Sequence, residues 1–237
     1  MGNITERFFK SRDALQKSLL YNTEYQLEKA IQQNGTASLM LSGGSTPKPL
    51  YQSLAQSKIA WNRITLGMVD ERWVSPEDDA SNERFIRLNL LNHLPDRPEF
   101  FCMKNDESDP FTAHKAISEQ YKKMNAPFDL TILGMGNDGH TASLFPGAKG
   151  LSNALSNQED LCVAIDAQAS EVTGQYTQRM TLTLNAIKRS RLIKLLITGK
   201  DKLATYQDAL QGNDVESMPI RAILHQNDTP VVVYWAE

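Results

Sequence analysis

The chain has 237 residues, 41% of them hydrophobic, with 25 basic and 28 acidic side chains and a formal net charge of −3. That is enough apolar material for one sizeable core, and the charge balance gives no footprint for nucleic acid. No apolar run has transmembrane length, and Cys102 and Cys162 stand alone, without metal-ligand spacing.

The first stretch, Met1 to Lys10, is polar and lacks the apolar core of a secretory signal. Gly2 does not open an acylation motif, because Glu6 stands where Ser or Thr is required. The sequon Asn3-Ile4-Thr5 is therefore expected to be inert, and both cysteines to be reduced thiols in a cytoplasmic protein. A helical segment is predicted from Arg7 to Gln33, then a strand from Thr36 to Leu41 and a helix from Pro47 to Ala55. A second strand follows at Ile64 to Val69, with helices at Asn82 to Leu91 and Pro110 to Met124. Asp129 to Leu133 is the third strand, Leu192 to Thr198 the fourth and Val231 to Trp235 the fifth, with a helix at Lys202 to Leu210. Leu161 to Ile165 and Met180 to Leu184 are weaker strands, antiparallel or peripheral. Strands separated by helix-length spacers predict an α/β, Rossmann-like fold: a mostly parallel sheet with helices on both faces. No repeat or linker divides the chain, so residues 1–237 read as a single domain. The stretch from Pro146 to Gln178 is either a flap or a solvated connection.

In an open parallel sheet, ligands bind beyond the carboxyl ends of the strands. After the first strand stands Ser42-Gly43-Gly44-Ser45-Thr46-Pro47. Two glycines let backbone N–H groups close around an anion, the hydroxyls add donors, and Thr46 is placed to cap a helix that Pro47 begins. This is a phosphate cradle in outline, although a plain capped turn has the same residues. It has neither Walker A nor nucleophile-elbow spacing.

After the second strand comes Asp70-Glu71-Arg72, whose guanidinium fork suits phosphate or carboxylate, and Ser81-Asn82 reads as a helix cap. After the third comes Gly134-Met135-Gly136-Asn137-Asp138-Gly139-His140. A carboxylate two residues from an imidazole, in a glycine turn at a strand end, is an acid/base pair in the position an α/β enzyme would use. The same glycines spell a dinucleotide fingerprint, but Pro146-Gly147 leaves little room for the helix that motif needs. After the fourth strand, Gly199-Lys200-Asp201-Lys202 puts lysines in a first helical turn, where a cation opposes the helix dipole unless an anion binds.

Together these motifs, from about Ser42 to Leu210, resemble the glucosamine-6-phosphate isomerase/6-phosphogluconolactonase family. The block Gly134–Gly147 is the most specific part, and Gly199-x-x-Lys202 belongs to the resemblance. The deaminase branch carries a proton-transferring Glu five residues after the His, where this chain has Phe145, and a Tyr where it has Arg72. Both departures favour the lactonase branch. The resemblance implies hydrolysis of 6-phospho-D-glucono-1,5-lactone in the oxidative pentose phosphate pathway, with no cofactor and no metal. His140 would be the base and Asp138 its partner, with substrate and phosphate held by Ser42, Gly43, Gly44, Ser45, Thr46, Asp70, Arg72, Arg179 and Lys202. Arg179 reads equally well as a structural residue, and the oxyanion donors are expected among the N–H groups of the glycine turn. Phe145 is expected to be an apolar wall. The expected partner is a small sugar phosphate, not nucleic acid or membrane, and a monomer is the favoured state.

Overall fold

Residues 3–124 and 126–237 are described by a computed structural model; Met1, Gly2 and Asn125 lie outside it, as does the reading of Gly2 as a non-acylated residue. The chain opens with strand β1 (Ile4–Phe9), helix α1 (Arg12–Asn34), β2 (Ala37–Leu41) and α2 (Lys48–Leu54). Then come β3 (Ile64–Met68), β4 (Asp70–Arg72), α3 (Asn82–Asn89), β5 (Glu99–Phe101), α4 (Pro110–Tyr121) and β6 (Leu130–Gly134). The second half holds α5 (Leu151–Ser156), β7 (Cys162–Asp166), β8 (Gln178–Leu182), α6 (Leu184–Lys188) and β9 (Ile193–Thr198). It closes with α7 (Lys200–Gln211), α8 (Arg221–Leu224) and β10 (Val231–Ala236).

Seven strands form one parallel sheet in the order β1-β10-β9-β6-β2-β3-β5, with helices on both faces. The runs Ala37–Leu41 and Ile193–Ile197 are buried along their whole length, as continuous apolar strands in a doubly covered sheet must be. From β2 the chain steps outward to β3 and β5, then returns to place β6 on the other side of β2. The connections therefore diverge between β2 and β6, leaving a crevice beyond their carboxyl ends.

Three elements differ from the sequence reading. The predicted helix from Arg7 includes the end of β1, because the helix starts only where Ser11 Oγ accepts from Ala14 N at 3.2 Å. Within α1, Leu15, Leu19, Thr23, Leu27 and Ala30 form the buried stripe, and Gly35 ends it in the left-handed region at φ 80°. Asp70-Glu71-Arg72 is itself a strand rather than a loop. It leaves the main sheet and pairs antiparallel with β8, which pairs with β7, so the two weaker strand candidates belong to a separate three-stranded sheet. The stretch 146–178 contains, besides the expected strand at β7, the short helix α5, which the sequence reading did not place. Among the described residues no helix is long and apolar enough to cross a membrane.

One charged side chain lies inside this core. Lys194, in β9, is 1% exposed and donates from Nζ to Thr23 Oγ1 at 2.9 Å, with no carboxylate beside it. Burial pushes its amine down to about 7, and the charge of Arg7 adds to the shift. An unfolded lysine titrates near 10.4, so between about pH 7 and pH 10 the unfolded chain binds the extra proton and stability rises with pH. Lys194→Met should raise the melting temperature at pH 7 and flatten its rise toward pH 10. An unchanged pH dependence in thermal unfolding would show that Lys194 is not the source.

Candidate active site

The crevice between β2 and β6 opens into a cavity of about 260 Å³. This is slightly below the usual range for small-molecule clefts, about 300–1,000 Å³, and suits a compact monosaccharide better than a dinucleotide. Its lining draws on every strand-end motif: Ser42 to Pro47, Asp70 and Arg72, Gly134 to Gly136 with His140, Arg179, and Lys202.

After β2, the main chain of Gly43, Gly44, Ser45 and Thr46 donates to no group among the described residues. Gly44 sits at φ 92°, and a side chain on Gly43 would collide with Asn82 Oδ1 at 1.9 Å. Ser42 Oγ is buried with no partner. A run of N–H groups with no partner in the protein is available to a ligand at the cavity they line. Thr46 does not cap α2: the cap position falls on Pro47, already helical and without a side-chain bond, so the Thr46 hydroxyl is not spent on the helix.

The short second sheet fixes the arginines. Arg72 on β4 and Arg179 on β8 are direct cross-strand partners and share a face. Arg72 donates from Nη1 to the Ala80 carbonyl at 2.5 Å, while its Nε is buried and unpartnered. Arg179, only 3% exposed, spends Nε on the Tyr176 carbonyl at 2.6 Å and Nη2 on the Thr173 carbonyl at 3.1 Å. Burial pulls its guanidinium down to about 10, the charge of Arg72 acts in the same direction, and Asp70 opposes both, so it stays cationic at neutral pH. Asp70 is held from two sides: Ser143 Oγ donates to Oδ2 at 2.7 Å and Asn82 Nδ2 to Oδ1 at 3.2 Å. Glu71 turns away from the cavity. It accepts from the N–H groups of Arg72, Asn82 and Glu83 and from Ser81 Oγ, tying β4 to the start of α3; Ser81 caps that helix as expected.

After β6 the chain makes the glycine turn and does not enter a helix until α5, so the dinucleotide geometry is absent. His140 Nδ1 lies 2.6 Å from Asp138 Oδ1, which also accepts from the His140 N–H at 3.1 Å. A β-carbon on Gly136 would sit 2.0 Å from Nδ1 and 2.3 Å from the Asp138 oxygen, so only glycine permits the pair. Burial raises the Asp138 pKa, but the hydrogen bond and charge of His140 outweigh it and hold the carboxyl below its ordinary value. Asp138 therefore stays ionised and can only accept, so the contact with Nδ1 is a hydrogen bond in which Nδ1 donates, and His140 lines the cavity. Asp138 itself is not part of the lining.

Of the two lysines after β9, Lys200 pairs with Glu237 at 3.0 Å in solvent, whereas Lys202 reaches the cavity and donates to the Met135 carbonyl. Burial lowers its pKa and Asp138 raises it. Several contributors carry no sequence motif. Asn82 lines the cavity, and Ser143 restrains Asp70. Met218 packs on Gly139, whose carbonyl accepts from Ile220 N at 2.8 Å, bracing the turn from behind. Ser81-Asn82 after the acidic strand was the one available signal for Asn82; the others depend on contacts remote in sequence.

The profile of the family described as "Glucosamine-6-phosphate isomerases/6-phosphogluconolactonase" matches residues 10–235. The chain is 36% identical over 228 residues to the 6-phosphogluconolactonase of Rhizobium meliloti, covering 96% of this chain and 97% of that protein. It is 34% identical over 221 residues to the 6-phosphogluconolactonase of Pseudomonas putida, covering 93% and 88% respectively. The crystal structure of a 6-phosphogluconolactonase from Shewanella baltica superposes with a TM-score of 0.93 at 40% identity, over 99% of this chain and 98% of that one. With its strand-end motifs gathered in one crevice and the profile running almost end to end, the chain belongs to the glucosamine-6-phosphate isomerase/6-phosphogluconolactonase family.

Proposed function

We propose that this protein hydrolyses 6-phospho-D-glucono-1,5-lactone to 6-phosphogluconate, in the oxidative pentose phosphate pathway, by His140-assisted attack of water. The observation that carries this reading is a histidine held at Nδ1 by an ionised carboxylate at 2.6 Å, in a cavity also lined by Arg72, Arg179 and Lys202. The lactonase names of the relatives point the same way. So does Phe145, which cannot relay a proton where the deaminase branch has a glutamate.

The phosphate is held by the Gly43–Thr46 N–H groups and the three cations, which places the lactone ring toward His140. Nε2 accepts a proton from water as its oxygen attacks the carbonyl carbon. The imidazolium that forms is stabilised by Asp138 and then protonates the departing ring oxygen. Asp70, already restrained by Ser143 and Asn82, has acceptor capacity left for a sugar hydroxyl. The N–H groups of Gly136, Gly139 and His140 are already spent on the His140 carbonyl, the Gly136 carbonyl and Asp138 Oδ1, so, against the sequence expectation, those three are not the oxyanion donors.

The first test compares wild type with His140→Ala in a lactonase assay corrected for spontaneous ring opening. The alanine variant should lose about 10²–10⁴ in kcat while still binding 6-phosphogluconate. Near-wild-type kcat would sink the mechanism. Ammonia release from glucosamine 6-phosphate by wild type, at a rate rivalling lactone hydrolysis, would replace it with deamination.

Arg72→Ala and Lys202→Ala should each raise KM for the phosphorylated lactone by the loss of a charge-assisted bond, roughly 1.5–3 kcal/mol or about tenfold to a hundredfold. Glucono-1,5-lactone without the phosphate is the control. If it suffers equally, neither side chain holds phosphate.

Gly136→Ala should break the His140–Asp138 pair without unfolding the protein, because the clash is local. Its signature is disappearance of the downfield Nδ1 proton resonance together with lactonase activity. Retention of both would mean the turn can shift to accommodate a side chain.

A further inference from the structure

Three contacts fix the imidazole of His140, and only two of them belong to the glycine turn. Asp138 takes Nδ1, and the bare backbone of Gly136 confines the Nδ1 edge. The third is Phe145, whose ring centre lies 4.3 Å from that of His140, with the planes tilted by 31°. That ring lies tilted against the imidazole in close contact, a restraint beyond the hydrogen bond and the glycine.

Phe145 can serve as a stop because it is itself immobilised. It is 4% exposed, and the Arg179 guanidinium carbon lies 5.3 Å from its ring centre. Arg179 is in turn anchored by the carbonyls of Thr173 and Tyr176 and by its place in β8. A hydrogen bond at Nδ1 alone lets an imidazole swing about that bond. A flat partner against its face stops the swing and keeps Nε2 aimed at one point.

Resting on the lactonase reading above, we propose that Phe145, which lines the cavity beside Arg179, is a positioning residue for His140: its ring sets the direction of Nε2 and thereby the rate of water attack, and its loss falls on kcat rather than on KM. An aliphatic side chain of similar volume keeps the wall but not the flat contact, so activity falls without being abolished.

The test uses Phe145→Leu, Phe145→Met and Phe145→Tyr. The two aliphatic variants should lose roughly threefold to tenfold in kcat, the value of one aromatic pair, with KM for the phosphorylated lactone unchanged. Tyrosine should restore kcat. Imidazole ¹⁵N spectra should show the Nδ1–H resonance of His140 broadened in the aliphatic variants and sharp in the tyrosine variant. Packing alone would lower the melting temperature but leave the kcat-to-KM split and the ring signals untouched. Wild-type kcat in either aliphatic variant, a rise in KM with kcat preserved, or a sharp Nδ1–H signal in both would overturn the proposal. The lactonase reading fails separately, if wild type does not accelerate lactone opening or if His140→Ala keeps its kcat.

Discussion

The site depends on a side chain that is missing. Residue 136 has only a hydrogen where another residue would drive a β-carbon to within 2.0 Å of the imidazole. That vacancy lets the chain double back within four residues, so that the Gly136 N–H donates to the His140 carbonyl at 2.9 Å and Asp138 meets the Nδ1 edge of the ring. The turn is held at both ends. β6 fixes its start in the middle of the sheet, and Ile220 fixes its far side through the Gly139 carbonyl. A hydrogen bond of 2.6 Å between two polar side chains of intermediate exposure survives because these backbone contacts remove the freedom that would compete with it.

Charge placement carries the opposite logic. Two arginines directly opposite on antiparallel strands repel, and both sit against a cavity instead of bulk water. Asp70 offsets part of this, but its oxygens are also engaged by Ser143 and Asn82. The unpartnered Nε of Arg72 and the unspent N–H groups of Gly43 to Thr46 lie on the same lining. The penalty for an unmet donor falls on the buried Nε of Arg72, whereas Gly44 and Ser45 are exposed and their N–H groups are open to solvent or to a ligand.

The motifs following strands β2, β3, β6 and β9 were legible because each joins an apolar run to glycine, hydroxyl or charged residues, and a parallel sheet makes such junctions neighbours. The divergence between β2 and β6 then brings the first and third together without any further signal in the sequence. What was illegible depended on non-local pairing. Ile4–Phe9 reads as helix because it continues into one; only the pairing with β10, at the far end of the chain, makes it a strand. Asp70–Arg72 is three residues long, too short for periodicity, and becomes a strand through β8, more than a hundred residues later. Met218 and Ile220 lie in a stretch with no motif and matter only because they meet Gly139. Thr46 illustrates the converse: a good capping residue beside a proline, yet the helix begins one residue late and its hydroxyl is not used by the helix.

The small second sheet brings together two arginines placed on different parts of the chain. A loop arginine would have to be ordered by its ligand, at a cost in side-chain entropy on each binding event. Here the ladder from β4 to β8 sets the spacing of the two guanidinium groups, and carbonyls of Ala80, Thr173 and Tyr176 spend the donors that face away from the cavity. Ala142, on the cavity wall, is a non-glycine residue at φ 50°. It adjoins Ser143, whose hydroxyl reaches Asp70, and Ser143 N in turn donates to Thr181 Oγ1 on β8 at 3.2 Å. The link to the second sheet is therefore made by Ser143, through its hydroxyl to Asp70 on β4 and its N–H to Thr181 on β8.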